Sequence, residues 1–176
     1  MIRVWDPFVR AFHWALALSF AVAWLSAQRW EAAHDWAGYA AGALALARVV
    51  WGFVGAPYAR FAQFVRSPQT VLAYLKAIAA RSEARFLGHN PAGGAMIVAL
   101  LIGVAAATAT GWMLTSDALW GETWAQRLHS VVAHGVLLLV LAHLSGVALA
   151  SLRHRENLVR AMIFGDKRAP EPGDVA

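Results

Sequence analysis

The chain has no cysteine. That excludes disulfides, thiolate-held iron–sulfur clusters, zinc–thiolate sites and covalent haem attachment, and it leaves the redox character of the compartment unmarked. Charge is sparse as well, at 14% of 176 residues, against about 25% in an ordinary soluble domain. There is no G-x-G-x-x-G, no P-loop and no nucleophile elbow, so nucleotide binding and serine hydrolysis have no motif to rest on. No internal repeat is visible. What fills the chain instead is apolar: 60% of residues are hydrophobic and the mean hydropathy is +0.51, a membrane composition. The net charge of +5 lies in loops between apolar runs, with no basic stripe along a soluble helix. Lipid head groups and membrane topology account for it better than nucleic acid does.

Four apolar runs, 8–27, 34–54, 92–114 and 123–152, each reach the ~20 residues that a spanning helix needs. The fourth is long enough to tilt or to project past the bilayer. The expected fold class is therefore all-α, one integral membrane four-helix bundle over residues 1–176. Arg3 and Arg10 precede the apolar part of the first run, which ends Leu25-Ser26-Ala27. A cleaved signal peptide has that outline, but three further runs and the residues within this one favour a retained span. Arg3, Arg10, Arg48, Arg60, Arg66, Lys76, Arg81, Arg85, Arg153, Arg155, Arg160, Lys167 and Arg168 fall on one side, and only Arg29 and Arg127 on the other. The positive-inside rule then expects both termini in the cytoplasm of a bacterial inner membrane, with Trp24, Trp30, Trp36, Trp112, Trp120 and Trp124 as the outer aromatic belt. Ser67-Pro68 predicts the start of an amphipathic cytoplasmic helix over about 68–80, lying on the inner leaflet. Asn90-Pro91 repeats that signal before the third run. The Pro- and acid-rich tail, 169–176, is expected to lack fixed structure.

Ionisable groups inside a membrane are costly and mark function. With no cysteine, the seven histidines are the only strong soft-metal ligands in the chain. His129 and His143 stand fourteen residues apart on the fourth run, which returns them to within ~40° of one helix face and separates them by roughly 21 Å. His13 enters the first run from the cytoplasmic side and His34 opens the second on the outer side. Matching depth pairs His13 with His143 and His34 with His129. Four imidazoles at two depths are what two non-covalent, bis-histidine haem b groups need. A lone histidine in a span is more often a hydrogen-bonded polar group between helices, which is the reading given to His134. His154 reads as a solvated helix-end residue and His89 as a loop residue. Haem carboxylates call for cations at the bilayer edge: Arg10 and Arg48 are placed for the inner haem, Arg127 for the outer. Snorkelling to head groups explains those arginines equally well. Gly38, Gly42, Gly103, Gly111, Gly135 and Gly146 leave room for a porphyrin or, as commonly, for close helix packing.

Phe12-His13-Trp14, the run Arg48 to Gly55 (RVVWGFVG), the run Gly88 to Gly94 (GHNPAGG), Leu128-His129 and the run Arg155 to Met162 (RENLVRAM) resemble the bacterial cytochrome b561 family. That family is related to the b-type subunits of nickel–iron hydrogenases and formate dehydrogenases. The resemblance covers nearly the whole chain. It implies a four-helix bundle with two b haems ligated by His13, His34, His129 and His143. It also implies electron exchange with the quinone pool, and a periplasmic c-type cytochrome or other redox protein as partner.

The expected function is transfer of electrons across the membrane between quinone and that partner, with membrane lipid as the surroundings and no nucleic acid; a homo-oligomer is compatible with the pattern. One alternative is a haem-binding anchor subunit of a larger dehydrogenase or hydrogenase, which would purify only with its catalytic partner. A second is a transporter using the histidines directly, for which broken spans would speak; the runs here are continuous.

Overall fold

A computed structural model describes residues 1–175. Four helices are long and apolar enough to cross a membrane: α1 (Pro7–Ser26), α2 (Glu31–Val54), α5 (Pro91–Met113) and α6 (Thr123–Arg153). Between α2 and α5 come a 3-10 turn (Pro57–Ala59), α3 (Phe61–Phe64) and α4 (Pro68–Ala80); after α6 comes α7 (Leu158–Phe164). The starts are set by side-chain caps. Asp6 Oδ1 accepts from Val9 N at 3.0 Å ahead of Pro7. Ser67 Oγ accepts from Thr70 N at 3.3 Å ahead of Pro68. Asn90 Oδ1 accepts from Gly93 N at 2.7 Å ahead of Pro91. Each pairs a cap with a proline whose missing N–H would have had no partner in the first turn.

The chain divides into two compact units. One holds Met1–Arg10, Val50–Val98 and the chain from Leu141 on. Its core is Val4, Trp5, Val9, Ala59 and Ala161. A two-residue strand β1 (Ile2–Arg3) pairs antiparallel with β2 (Asp166–Lys167), Ile2 opposite Lys167. Gly165 sits at φ 93° and its carbonyl accepts from both Val4 N and Trp5 N, at 2.9 and 3.0 Å. A side chain there would strain the backbone and meet the Trp5 carbonyl.

The tail is not the loose segment its composition suggests. Arg85, with its side chain 5% exposed, pairs with Glu156 at 2.8 Å and with Asp174. Val175 N donates to Arg85 O, and Leu87 N to Val175 O, both at 2.9 Å. Lys167 Nζ donates to Leu87 O at 2.9 Å and lies 3.6 Å from Glu156. Two cations and two carboxylates are balanced out of water, so removing one strands the others. Proline and acid content predict disorder only when no partner is waiting; here the partner is Arg85, remote in sequence.

Burial works against ionisation of Glu156, but the hydrogen bond from Arg85 and the neighbouring cations hold its carboxyl below the usual range. A carboxyl depressed in the folded state contributes stability above its unfolded pKa, lost as pH falls through the folded value. Acidification below the ordinary carboxylate range is therefore expected to free residues 169–175, read as faster proteolysis of the tail. Arg85→Ala should do the same at neutral pH and destabilise the fold by about 3 kcal/mol, as for other broken buried pairs.

The second unit holds Ala11–Val49 and Ala99–Val140, the remaining parts of α1, α2, α5 and α6. The helices approach through small residues and hydroxyls. Thr108 Oγ1 donates to Gly38 O at 3.3 Å, tying α5 to α2. At Gly42 an added Cβ would lie 2.5 Å from the Thr108 methyl, so glycine permits this approach.

Candidate functional site

Within the second unit, His34 on the first turn of α2 faces His129 on the second turn of α6. Their ring centroids are 5.9 Å apart and their planes cross at 89°. Metal–imidazole bonds of ~2.0–2.1 Å put two rings on opposite sides of one metal at roughly 6 Å between centres. The observed spacing therefore suits a single metal between two axial histidines.

The hydrogen bonds say which nitrogens are offered. His34 Nδ1 lies 2.8 Å from Ala23 O on α1. A carbonyl only accepts, so Nδ1 carries the proton. His129 Nδ1 lies 3.0 Å from Thr110 Oγ1 on α5. That hydroxyl is also 2.8 Å from Ala106 O, one turn back on its own helix. With its one proton on that carbonyl, the hydroxyl accepts from His129, and His129 Nδ1 is then the donor as well. In their neutral forms both rings then keep the lone pair on Nε2, the tautomer of a metal-ligating histidine held by an outer partner.

The rings open on a cavity of about 630 Å³, within the range that cofactor-sized ligands occupy. Phe20, Trp24, Val104, Thr108 and Val136 line its apolar part. Gly111 is the close approach on α5: a Cβ there would lie 3.1 Å from His129 Cε1. A second cavity of about 680 Å³ opens beside the same two histidines and is edged by Arg29, Glu31, Asp35, Thr115, Trp120 and Gln126. Arg29 and Asp35 border both. The residues present fit a haem: paired Nε2 donors, an apolar slot trimmed by a glycine, and a polar mouth with a cation for carboxylates.

The other expected residues are placed as follows. Arg127 is exposed and lines neither cavity; the cation at the mouth is Arg29, which the sequence reading used only for topology. His13 lies half-buried on α1, edge-on to Trp14 at 5.2 Å, and His143 lies half-buried on α6. They belong to different compact units. Arg48 is 2% exposed. Arg10 Nη1 donates to Phe164 O at 3.0 Å, at the end of α7. His134 Nδ1 donates to Ser130 O at 2.7 Å and its ring stands edge-on to Trp24, 5.1 Å between centroids. The bond expected between helices is instead made within α6, one turn back, and only the ring contact with Trp24 reaches another helix. His89, read as a loop residue, sits against the Trp5 and Phe64 rings at 4.5 and 4.8 Å. Sequence reasoning missed Thr110, although Thr108 and Thr110 are the only hydroxyl side chains on α5. A hydroxyl in such a span calls for a partner.

Apolar helices around a cavity with two opposed imidazoles are the architecture of a membrane cytochrome. Residues 4–165 match the family model of prokaryotic cytochrome b561. The chain is 29% identical over 157 aligned positions to the probable Ni/Fe-hydrogenase B-type cytochrome subunit of Azotobacter vinelandii, covering 72% of this chain and 65% of that protein. It is 26% identical over 211 positions to the protein of the same name from Azotobacter chroococcum mcd 1, covering 93% of this chain and 87% of that one. The chain thus spans just under two thirds of the length of the first of these relatives. No solved structure matches significantly. The chain belongs to the prokaryotic cytochrome b561 family. It is a multi-pass membrane b-type cytochrome, and its cofactor is haem b.

Because Gly111 lies against the His129 ring, a branched side chain there must displace the imidazole. Gly111→Val is expected to lower haem b content per chain, measured as pyridine haemochrome. Gly135→Ala, where an added Cβ meets nothing within 4 Å, should leave it unchanged.

Proposed function

We propose that this cytochrome holds two haem b groups, each between two histidines, and passes electrons between the quinone pool and a redox partner on the outer face, such as a periplasmic c-type cytochrome. The observation that carries the reading is the His34–His129 pair, 5.9 Å between rings, with both Nδ1 atoms engaged by groups outside their own helices. In this reading His34 and His129 ligate the outer haem and Arg29 receives its carboxylates in place of Arg127. His13 and His143 ligate the inner haem, with Arg10 and Arg48 as its cations. The inner set rests on depth along the sequence and on the family resemblance. Each haem would supply a one-electron carrier, and ligation by two histidines would suit electron transfer rather than bond-making at iron.

The chain's own residues do the rest. Ala23 O and Thr110 Oγ1 hold the two imidazoles in orientation and tautomer. The walls of Phe20, Val104 and Val136 keep water from the slot. The mouth at Arg29, Glu31 and Asp35 is where an external partner's charge would be felt. The lysine and arginine count supports a topology with both termini in the cytoplasm, in a bacterial inner membrane. A second reading makes the chain the haem-bearing membrane subunit of a larger oxidoreductase, and the names of the two Azotobacter proteins favour it. Purification with haem but without a catalytic partner would decide for the first.

Purified protein should approach two haems per chain by pyridine haemochrome. His34→Ala and His129→Ala should remove the same reduced-minus-oxidised spectral component, and His13→Ala and His143→Ala the other. A stable value of one haem, or loss of one component from both His13→Ala and His34→Ala, would sink the pairing. Arg127→Gln should retain both components. A reporter fused to the C-terminus should be active only in the cytoplasm; periplasmic activity would invert the sidedness.

A further inference from the structure

The two imidazoles of the outer pair are held differently, and only one of the holds can be exchanged by mutation. His34 donates to a backbone carbonyl, Ala23 O. His129 donates to a side-chain hydroxyl, Thr110 Oγ1 at 3.0 Å, on a helix that contributes no histidine to the site. That hydroxyl lies 2.8 Å from Ala106 O and 3.1 Å from Ala107 O, so its own helix offers its proton two acceptors and leaves a lone pair free for the ring. Its lone pair is thereby aimed at His129, while Gly111, the next residue, leaves the ring just enough room to stay in line.

We infer that Thr110 is a positioning residue of this cytochrome, a hydroxyl acceptor that sets the tautomer and donor strength of His129 and through it the potential of the outer haem. This rests on the bis-histidine reading above. An acceptor on Nδ1–H shifts electron density toward Nε2 and makes the ring a better donor to a bound metal, which favours the oxidised state. Loss of the acceptor weakens that donation and favours the reduced state. Reduction potentials of haem proteins respond to axial ligands and to the hydrogen bonds behind them. A threonine is a weaker acceptor than a carboxylate, so the hold on His129 is graded rather than forced. The structure thus carries one adjustable outer-shell bond and one fixed bond on the same pair.

The test compares Thr110→Val, which keeps the shape and removes the acceptor, with Thr110→Ser, which keeps the hydroxyl. Potentiometric titration of the membrane-reconstituted, haem-loaded protein reads both haem components separately, with His34→Ala and His129→Ala identifying the outer one. Thr110→Val should move the outer component to a more positive potential and leave the inner one in place. Thr110→Ser should restore the wild-type value. The ferric low-spin electron paramagnetic resonance signal of that component should shift in Thr110→Val alone. If Thr110→Val loses the outer haem altogether, Thr110→Ser retaining it at the wild-type potential supports the role, and Thr110→Ser losing it too overturns it. An unmoved potential with both haems present overturns the inference while the histidine variants still uphold the pairing. If neither His34→Ala nor His129→Ala removes a component, the pairing itself fails and the role of Thr110 fails with it.

Discussion

A ring nitrogen carrying a proton inside a membrane needs an acceptor, because hydrocarbon offers none. For His34 and His129 that requirement is met from outside their own helices. Ala23 O on α1 takes the His34 proton and Thr110 on α5 takes that of His129. Both bonds point the Nδ1 edges outward and leave the opposite edges for the cavity. The four helices that meet in this unit are thereby all committed to the site, although only two carry the histidines. The small residues follow from the same demand. Gly42 lets α2 close on Thr108, and Gly111 lets α5 close on the His129 ring.

The other unit solves a different problem, that of ending a membrane protein in water. Its segments are held by charge paired out of solvent: Arg85 with Glu156 and Asp174, Lys167 with Glu156, and Arg153 with Glu83 at 2.7 Å. Coulomb attraction alone barely repays such burial. The backbone acceptors Leu87 O and Phe86 O around Lys167 supply the remaining partners. The result fastens β1, the 81–90 loop, the turn after α6 and the tail to one another. Glu156 is the shared element, since it also accepts from Arg168 N at 2.8 Å.

How much of this could be read from sequence depends on the range of each signal. Spans are local, written in some twenty consecutive apolar residues, and the helices of the structure follow them. Caps are local as well: Ser67-Pro68 and Asn90-Pro91 mark starts that the chain uses. Asp6-Pro7 is the same kind of signal, and α1 begins at Pro7. The meeting of His34 with His129 follows from depth, a one-dimensional quantity that a membrane makes legible. The failures are two- and three-dimensional. The tail reads as loose because nothing near it reveals Arg85, and that partner exists only in the fold. Arg127 stands two residues from His129, and the ~200° between them turns it to the exposed face, while Arg29 reaches the mouth from the loop before α2. Thr110 was invisible because its role is defined by the ring that lands beside it.

The arrangement also bears on where selectivity for a partner can reside. If His34 and His129 fill both remaining positions of a haem iron, as proposed, an external redox protein would exchange electrons through the cofactor's edge and surroundings. At the His34 end those surroundings are the polar mouth, where Arg29 stands among Glu31 and Asp35, with Trp120 largely exposed beside them. One cation among carboxylates suits two tasks at once. The arginine can answer the cofactor's own carboxylates, while Glu31 and Asp35 outnumber it at the rim and give it a net negative field. A positively charged redox protein would be steered to such a rim, and a negatively charged one repelled, with an effect on encounter rate larger than that on affinity.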